Sequence, residues 1–260
     1  MKINIVQIDL AFGDPEANQK KVKEMLLKAV QDKPDVIVLP EMWNTSFSME
    51  NLHEIADVEG AATKSLIGDI ARTYHVNIVA GSVAVKEDAH VYNRMYVVDR
   101  NGKVCGHYDK VHLIRHAREH EFLKGGNETV IFNIDDICCG AIICYDIRFP
   151  ELARSIALKG AKVLFIPAQW PETRIEHWRT LAAARAIENQ MYVVAVNRIG
   201  YEYKANFPGQ SLIIDPWGKI VAETNDRECI MGAEIDIDLV DRIRKKVPCF
   251  LDRNEAAYKF

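Results

Sequence analysis

A ten-residue pattern occurs twice in this chain and limits its fold more than any other feature: PDVIVLPEMW (34–43) and AKVLFIPAQW (161–170) share an apolar run, a proline, two further residues and a tryptophan. MYVVDRNGKV (95–104) likewise matches SLIIDPWGKI (211–220), and VNIVAGSVAV and MYVVAVNRIG lie between them in the same order. A repeat of this kind predicts two half-domains with one strand and helix order. DVIVLP and KVLFIP are continuously apolar, as strands covered on both faces are. Each half would set a sheet against helices on one side. Packing the sheets face to face gives an α/β fold, a four-layer α-β-β-α sandwich of two similar half-domains, read as one domain over 1–260. The halves differ at one telling place. The first has Glu41 where the second has Ala168, so the fold does not require that acid.

Local signals fill in the elements. INIVQI (3–8) is a strand, and Asp14 with Pro15 caps the helix that follows. A second helix spans 63–74. Asn101-Gly102 turns a hairpin that delivers Lys110 just past its second strand. Residues 111–128 read as an irregular polar segment. TVIFNID and ICCGAIIC are strands, a helix runs over 150–159 to Gly160, and a longer one runs over 174–189 with Trp178, Leu181, Ala182 and Arg185 at helical spacing. The tail from about 238 is basic and then mixed, with VPCFL as its only apolar anchor, and is expected to pack on a dimer partner.

Composition excludes several classes of function. A net charge of -4 leaves no basic footprint for nucleic acid. The longest fully apolar run, Met191 to Val196, is too short to span a membrane, and MKINIVQIDL lacks the apolar core of a signal peptide. The six cysteines are scattered without a CxxC pair, which reads as a reduced, cytoplasmic protein. The sequons at Asn44 and Asn127 are then accidental.

Three residues stand at or just after strand ends: Glu41, Lys110 and Cys144. Cys144 lies in GAIICYDIRFPE (140–151), between a buried strand and a helix opened by Pro150. That position is expected to expose the sulfur beside backbone N–H groups, both favouring the thiolate. Judged alone, a buried structural cysteine is the plainer reading. The trio suits attack on an unactivated amide. A glutamate whose pKa is raised by burial takes the thiol proton and passes it to the leaving amine, while a lysine and the Tyr145 N–H receive the oxyanion. An ordinary Glu–Lys ion pair near a buried cysteine stays open on spacing alone.

LPEMW around Glu41, DKVHL around Lys110 and GAIICYDIRFPELAR around Cys144 resemble the three signatures of the nitrilase superfamily, the carbon–nitrogen hydrolases. The resemblance continues through IPAQWPETRIEHWRTLAAARAIENQ and DPWGKI, and so covers essentially the whole chain. It implies the same sandwich, a homodimer or higher homo-oligomer formed through the helical face beside the nucleophile, and no metal or organic cofactor. It also implies roles: Cys144 the nucleophile, Glu41 the general base, Lys110 the oxyanion stabiliser. A second glutamate that orients the lysine is best matched by Glu119, with Glu121 the runner-up. Where relatives often show Gly-His-Ser before the second hairpin, this chain has Gly209-Gln210-Ser211. The implied activity is hydrolysis of a small amide through a cysteine thioester, with release of ammonia. The chain looks most like the branch that includes ω-amidases acting on ω-amides of 2-oxo dicarboxylic acids.

Other readings compete. His112, His116 and His120 would line one face of a helix and could hold a metal with Glu119 or Glu121, but the segment lacks apolar periodicity. Trp43 and Trp170 are packing residues first, and pocket-mouth residues second, because they follow strands. Arg148 and Arg185 are candidates for a substrate carboxylate, with structural ion pairs as the alternative. Nitrile or N-carbamoyl hydrolysis, acyl transfer, and a non-catalytic interaction module keeping the fold are the other functional readings. No GxGxxG, Walker A or GxSxG motif is present.

Overall fold

The structure is a computed structural model describing residues 1–202 and 205–258. The first half runs β1 (Lys2–Gln7), α1 (Pro15–Ala29), β2 (Val36–Val38), the short α2 (Leu52–Ile55) and β3 (Asp57–Val58), α3 (Ala61–Tyr74), β4 (Asn77–Glu87), β5 (His90–Val98) and β6 (Val104–Asp109). One turn of helix, α4 (Glu119–Phe122), lies in the connection. The second half runs β7 (Ile131–Ile134), β8 (Ile137–Ala141), α5 (Pro150–Leu158), β9 (Val163–Ala168), α6 (Ile175–Asn189), β10 (Tyr192–Asn197), a small hairpin of β11 (Ile199–Glu202) and β12 (Ala205–Pro208), then β13 (Leu212–Ile214) and β14 (Ile220–Glu223). The chain ends with β15 (Cys229–Glu234) and α7 (Asp238–Lys246).

The two main sheets repeat one another. The first has the order β15-β1-β2-β4-β5-β6, with β3 beside β4; the second has β7-β8-β9-β10-β13-β14. In each, three parallel central strands carry an antiparallel hairpin on one side and one antiparallel strand on the other. The repeated peptides fall on β2 and β9, β4 and β10, and the two hairpins, as the sequence pattern requires. β15 lies outside the repeat and sends the C-terminal part of the chain back to pair with β1.

Side-chain alternation explains the layers. Ile3, Ile5, Val36, Val38, Met95 and Val97 point from the first sheet into the core shared with the second. Their neighbours Val6, Ile37, Ile78, Tyr96 and Val98 point the other way, onto Val22, Leu26, Ile67 and Ala71 of α1 and α3. A strand turns successive side chains to opposite faces, so an unbroken apolar run fills both layers at once. Asp14 caps α1 as expected, accepting from the Ala17 N–H at 3.0 Å. The Asn101-Gly102 turn also forms, with Gly102 at φ 78.

The tail differs from expectation. VPCFL is not its only anchor, because α7 buries Val240 and Ile243 against its own chain. Burying each is worth about 1.5–3 kcal/mol. Arg244 donates to the Ala161 carbonyl at 2.7 Å, and the Phe250 ring lies under Arg154 and Arg244. What remains outward is beyond α7, where Leu251 is 85% exposed.

Candidate active site

The loops after β2 and β9 are the two copies of the repeat, and they meet at the centre of the molecule. The Gln169 backbone N–H donates to Glu41 Oε2 at 2.9 Å, and Gln169 Nε2 donates to the Glu41 carbonyl at 2.8 Å. Gly81 makes room for this. It sits at φ 57 in a bulge of β4, and a Cβ there would lie 2.0 Å from the Pro40 carbonyl oxygen. Only glycine lets β4 pass so close beneath the turn that carries Glu41.

Glu41 Oε1 accepts from Asn93 Nδ2 at 2.8 Å and from Lys110 Nζ at 2.9 Å. Lys110 also donates to Glu119 Oε1 at 2.9 Å, and all three side chains are wholly shielded from solvent. Glu119 is fixed in turn by the Ile114 N–H, which donates to its Oε2 at 2.9 Å. Glu121 instead pairs with Arg118 at the surface. Of the two candidates, only Glu119 reaches the lysine.

Burial pushes the Glu41 carboxyl up, against the pull of Lys110 and with help from the charge of Glu119. Burial alone would lower Lys110, but the charges of Glu119 and Glu41 outweigh it and hold the ammonium well above its ordinary value. The site therefore contains a permanent cation and a carboxylate of unusual basicity.

Cys144 opens a 3-10 turn (Cys144–Arg148) directly before α5, in the left-handed region at φ 47. Such a backbone is uncommon for a residue with a Cβ and turns the side chain out of the strand direction. Two expectations need correction here. The sulfur is not exposed: Cys144 is 2% accessible. Nor is the thiolate favoured at rest. Burial first, and then the charge of Glu41, push the thiol well above its ordinary value. The thiol faces the Gln169 carbonyl at 3.8 Å and interacts with the Glu41 carboxylate. Tyr145 is the second residue of the turn, where the first N–H groups lack intrahelical acceptors.

Cys144 lies on a cavity of about 270 Å3 lined also by Ile114, His116, Tyr145, Arg148, Gln169, Trp170 and Arg174. That volume is just under the range usual for drug-sized ligands, so the space suits a small molecule. Trp170 is nearly buried; its ring lies 4.8 Å from the Arg148 guanidinium, and its Nε1 donates to the Arg174 carbonyl. Trp43 is not at the pocket. It is fully buried in the core between the first sheet and its helices and donates to the Ala80 carbonyl at 2.7 Å. Arg185 is structural too, donating twice to the Ile147 carbonyl at 3.0 and 2.8 Å. The histidines diverge. His112 stacks on Phe149, His116 faces the cavity, and His120 lines a different depression.

Asn93, Gln169, Asp146 and Arg174 were not singled out from sequence. Gln169 had a signal, since it occupies the repeat position next to the counterpart of Glu41. Asp146 had a weaker one, being a polar residue between Tyr145 and Ile147 in the segment that carries Cys144, and nothing marked Asn93. Nothing in the sequence marked Arg174.

Fold and sequence together place the chain among the carbon–nitrogen hydrolases: the model of that family matches residues 2–245, and the chain belongs to it. Within the family it is 43% identical over 256 residues to a 2-oxoglutaramate amidase of Bacillus subtilis, covering 98% of both chains. It is 34% identical to the omega-amidase YafV of Escherichia coli, over 98% of this chain and 97% of that one. A solved structure of XC1258 from Xanthomonas campestris, described as a CN-hydrolase superfamily protein with an arsenic adduct in the active site, superposes with a TM-score of 0.91 at 28% identity, covering 98% of this chain and 97% of that one.

Proposed function

We propose that this enzyme hydrolyses the ω-amide of a short 2-oxo dicarboxylic acid, through a thioester on Cys144. The observation that carries the reading is a small cavity with the Cys144 thiol on its wall, Glu41 and Lys110 buried behind it, and two arginines lining it. Glu41 takes the Cys144 proton as the sulfur attacks the amide carbon. Lys110 and the Tyr145 N–H hold the oxyanion. The C–N bond breaks and the nitrogen leaves as ammonia, carrying the proton from Glu41. Water, deprotonated by the same carboxylate, then cleaves the thioester and frees the acid. Glu119 keeps Lys110 in place. The high thiol pKa fits proton transfer during attack better than a standing thiolate.

Arg148 and Arg174 suit the carboxylate at the far end of such a substrate. Arg148 already stacks on Trp170, whereas Arg174 makes no ion pair among the described residues. Arg174→Ala is expected to raise KM for 2-oxoglutaramate about 10- to 100-fold, the usual worth of one charged hydrogen bond. Uncharged short amides should be turned over as by wild type. Steady-state kinetics on both substrates checks this; an equal loss on both would take Arg174 out of carboxylate recognition.

The reading itself is tested by ammonia release from 2-oxoglutaramate and 2-oxosuccinamate beside nitriles, N-carbamoyl compounds and other amides. Silence on the two ω-amides with activity elsewhere would move the substrate to another branch. Acyl transfer would appear as consumption of an added amine. The reaction needs no nucleic acid or membrane partner, and we place it in the cytoplasm. A homodimer is expected through α5, α6 and the tail, where Leu158, Ile187 and Leu251 are exposed together with Val247. Sedimentation should give twice the chain mass, and Leu251→Asp combined with Ile187→Asp should shift it toward the monomer.

A further inference from the structure

We propose that Asp146 is a positioning residue that sets the placement of Lys110 relative to Cys144. This rests on the reading above, in which those two side chains act on one carbonyl. Asp146 is fully buried. Its Oδ2 accepts from the Tyr108 hydroxyl at 2.7 Å and from the Ile143 N–H at 3.0 Å. Its Oδ1 accepts from the His112 N–H at 2.8 Å and lies 2.9 Å from His112 Nδ1. Tyr108 and His112 stand two residues either side of Lys110, and Ile143 and Asp146 bracket Cys144. One carboxylate thus ties the end of the lysine strand to the turn that carries the sulfur.

The donors match a carboxylate and nothing else. A carboxylate oxygen accepts, and His112 Nδ1 donates to it in the tautomer that carries its hydrogen on that nitrogen. Burial, and then the charge of Asp146, hold the Tyr108 phenol far above its ordinary value, so it stays a donor. The His112 ring lies flat on Phe149, with centroids 3.5 Å apart, which fastens the far end of the turn to the same segment.

Asp146→Asn replaces one acceptor oxygen by an NH2. Whichever way the amide turns, it meets at least one backbone N–H, of His112 or Ile143, and the clamp opens on that side. The oxyanion step needs Lys110 and Cys144 aligned to a fraction of an ångström, and misplacement of about 1 Å can cost on the order of 10²-fold. Alkylation of Cys144 by iodoacetamide needs only the thiol and its base. We therefore expect kcat of Asp146→Asn to fall about 10²-fold with KM within about twofold of wild type, while the alkylation rate stays within a few-fold. Tyr108→Phe removes one donor and leaves Asp146 in place. It should show the same split with a smaller loss, and it keeps the test intact should Asp146→Asn fold poorly. Unchanged turnover in both variants, or turnover and alkylation falling in parallel, would overturn the assignment. Absence of turnover in the wild type would instead remove the amide-hydrolase reading on which it stands.

Discussion

Cys144→Ala is expected to lose at least about 10⁴-fold in kcat, as enzymes that depend on a covalent nucleophile do. Its melting temperature should stay close to that of wild type. The substitution deletes one buried atom from a backbone that already holds a Cβ at φ 47. The cavity left is small and costs on the order of 1 kcal/mol. It also takes away the raised thiol beside Glu41, so the base has nothing to deprotonate. Ammonia release measures the loss of turnover, thermal melting the retained stability, and intact mass after incubation with substrate the covalent step. Wild type quenched during turnover should carry an acyl adduct on the Cys144 peptide, and Cys144→Ala none. Retention of more than about a tenth of wild-type activity would exclude covalent catalysis at this position.

Much of this site could be read from the sequence because the residues that hold it sit at ends of regular elements. Glu41, Lys110 and Cys144 each follow a strand, and strands are fixed by apolar patterns that survive without tertiary information. The repeat went further. It placed β2 against the same background as β9, and just past the strand end the first copy carries the acid Glu41 where the second has Ala168. Exposure was misjudged because it is a tertiary property. A cysteine at a strand–helix junction is open to solvent in isolation, but here the Gln169 and Trp170 loop that follows the neighbouring strand β9 closes over it. Trp43 and Trp170 illustrate the same limit. They are equivalent in the repeat, yet one is sealed in a helix-facing core and the other forms a cavity wall. β15 was missed because it has no counterpart in the repeat pattern and alternates only weakly. Asp146 was not singled out because its value lies in donors from Tyr108 and His112, more than thirty positions earlier in the chain.

Lys110→Met should be the most damaging substitution for stability as well as activity. Removing the ammonium leaves Glu41 and Glu119 fully buried around a methionine, with no cation in reach of either through the bonds they now make. Breaking a buried ion pair from one side typically costs about 3–5 kcal/mol, and here two carboxylates lose the same partner. Turnover loses an oxyanion donor worth on the order of 10²–10³ in rate, and the disordering of Glu41 adds to that. The pH dependence has a definite sign. With Lys110 gone, the Glu41 carboxyl in the folded state lies above its unfolded value, because burial and the charge of Glu119 still raise it while the pull of Lys110 is lost. The folded protein then binds more protons than the unfolded one, so stability is retained below the ordinary carboxylate range and lost as pH rises through the raised value. The gap in melting temperature between variant and wild type should therefore be wide at pH 8 and narrow toward pH 5. Adding Glu119→Gln should recover part of the lost stability, since a neutral amide can still accept from the Ile114 N–H. It should recover no turnover, because no cation has returned. A gap independent of pH would mean that the variant is destabilised by lost packing around the lysine stem and not by stranded charge.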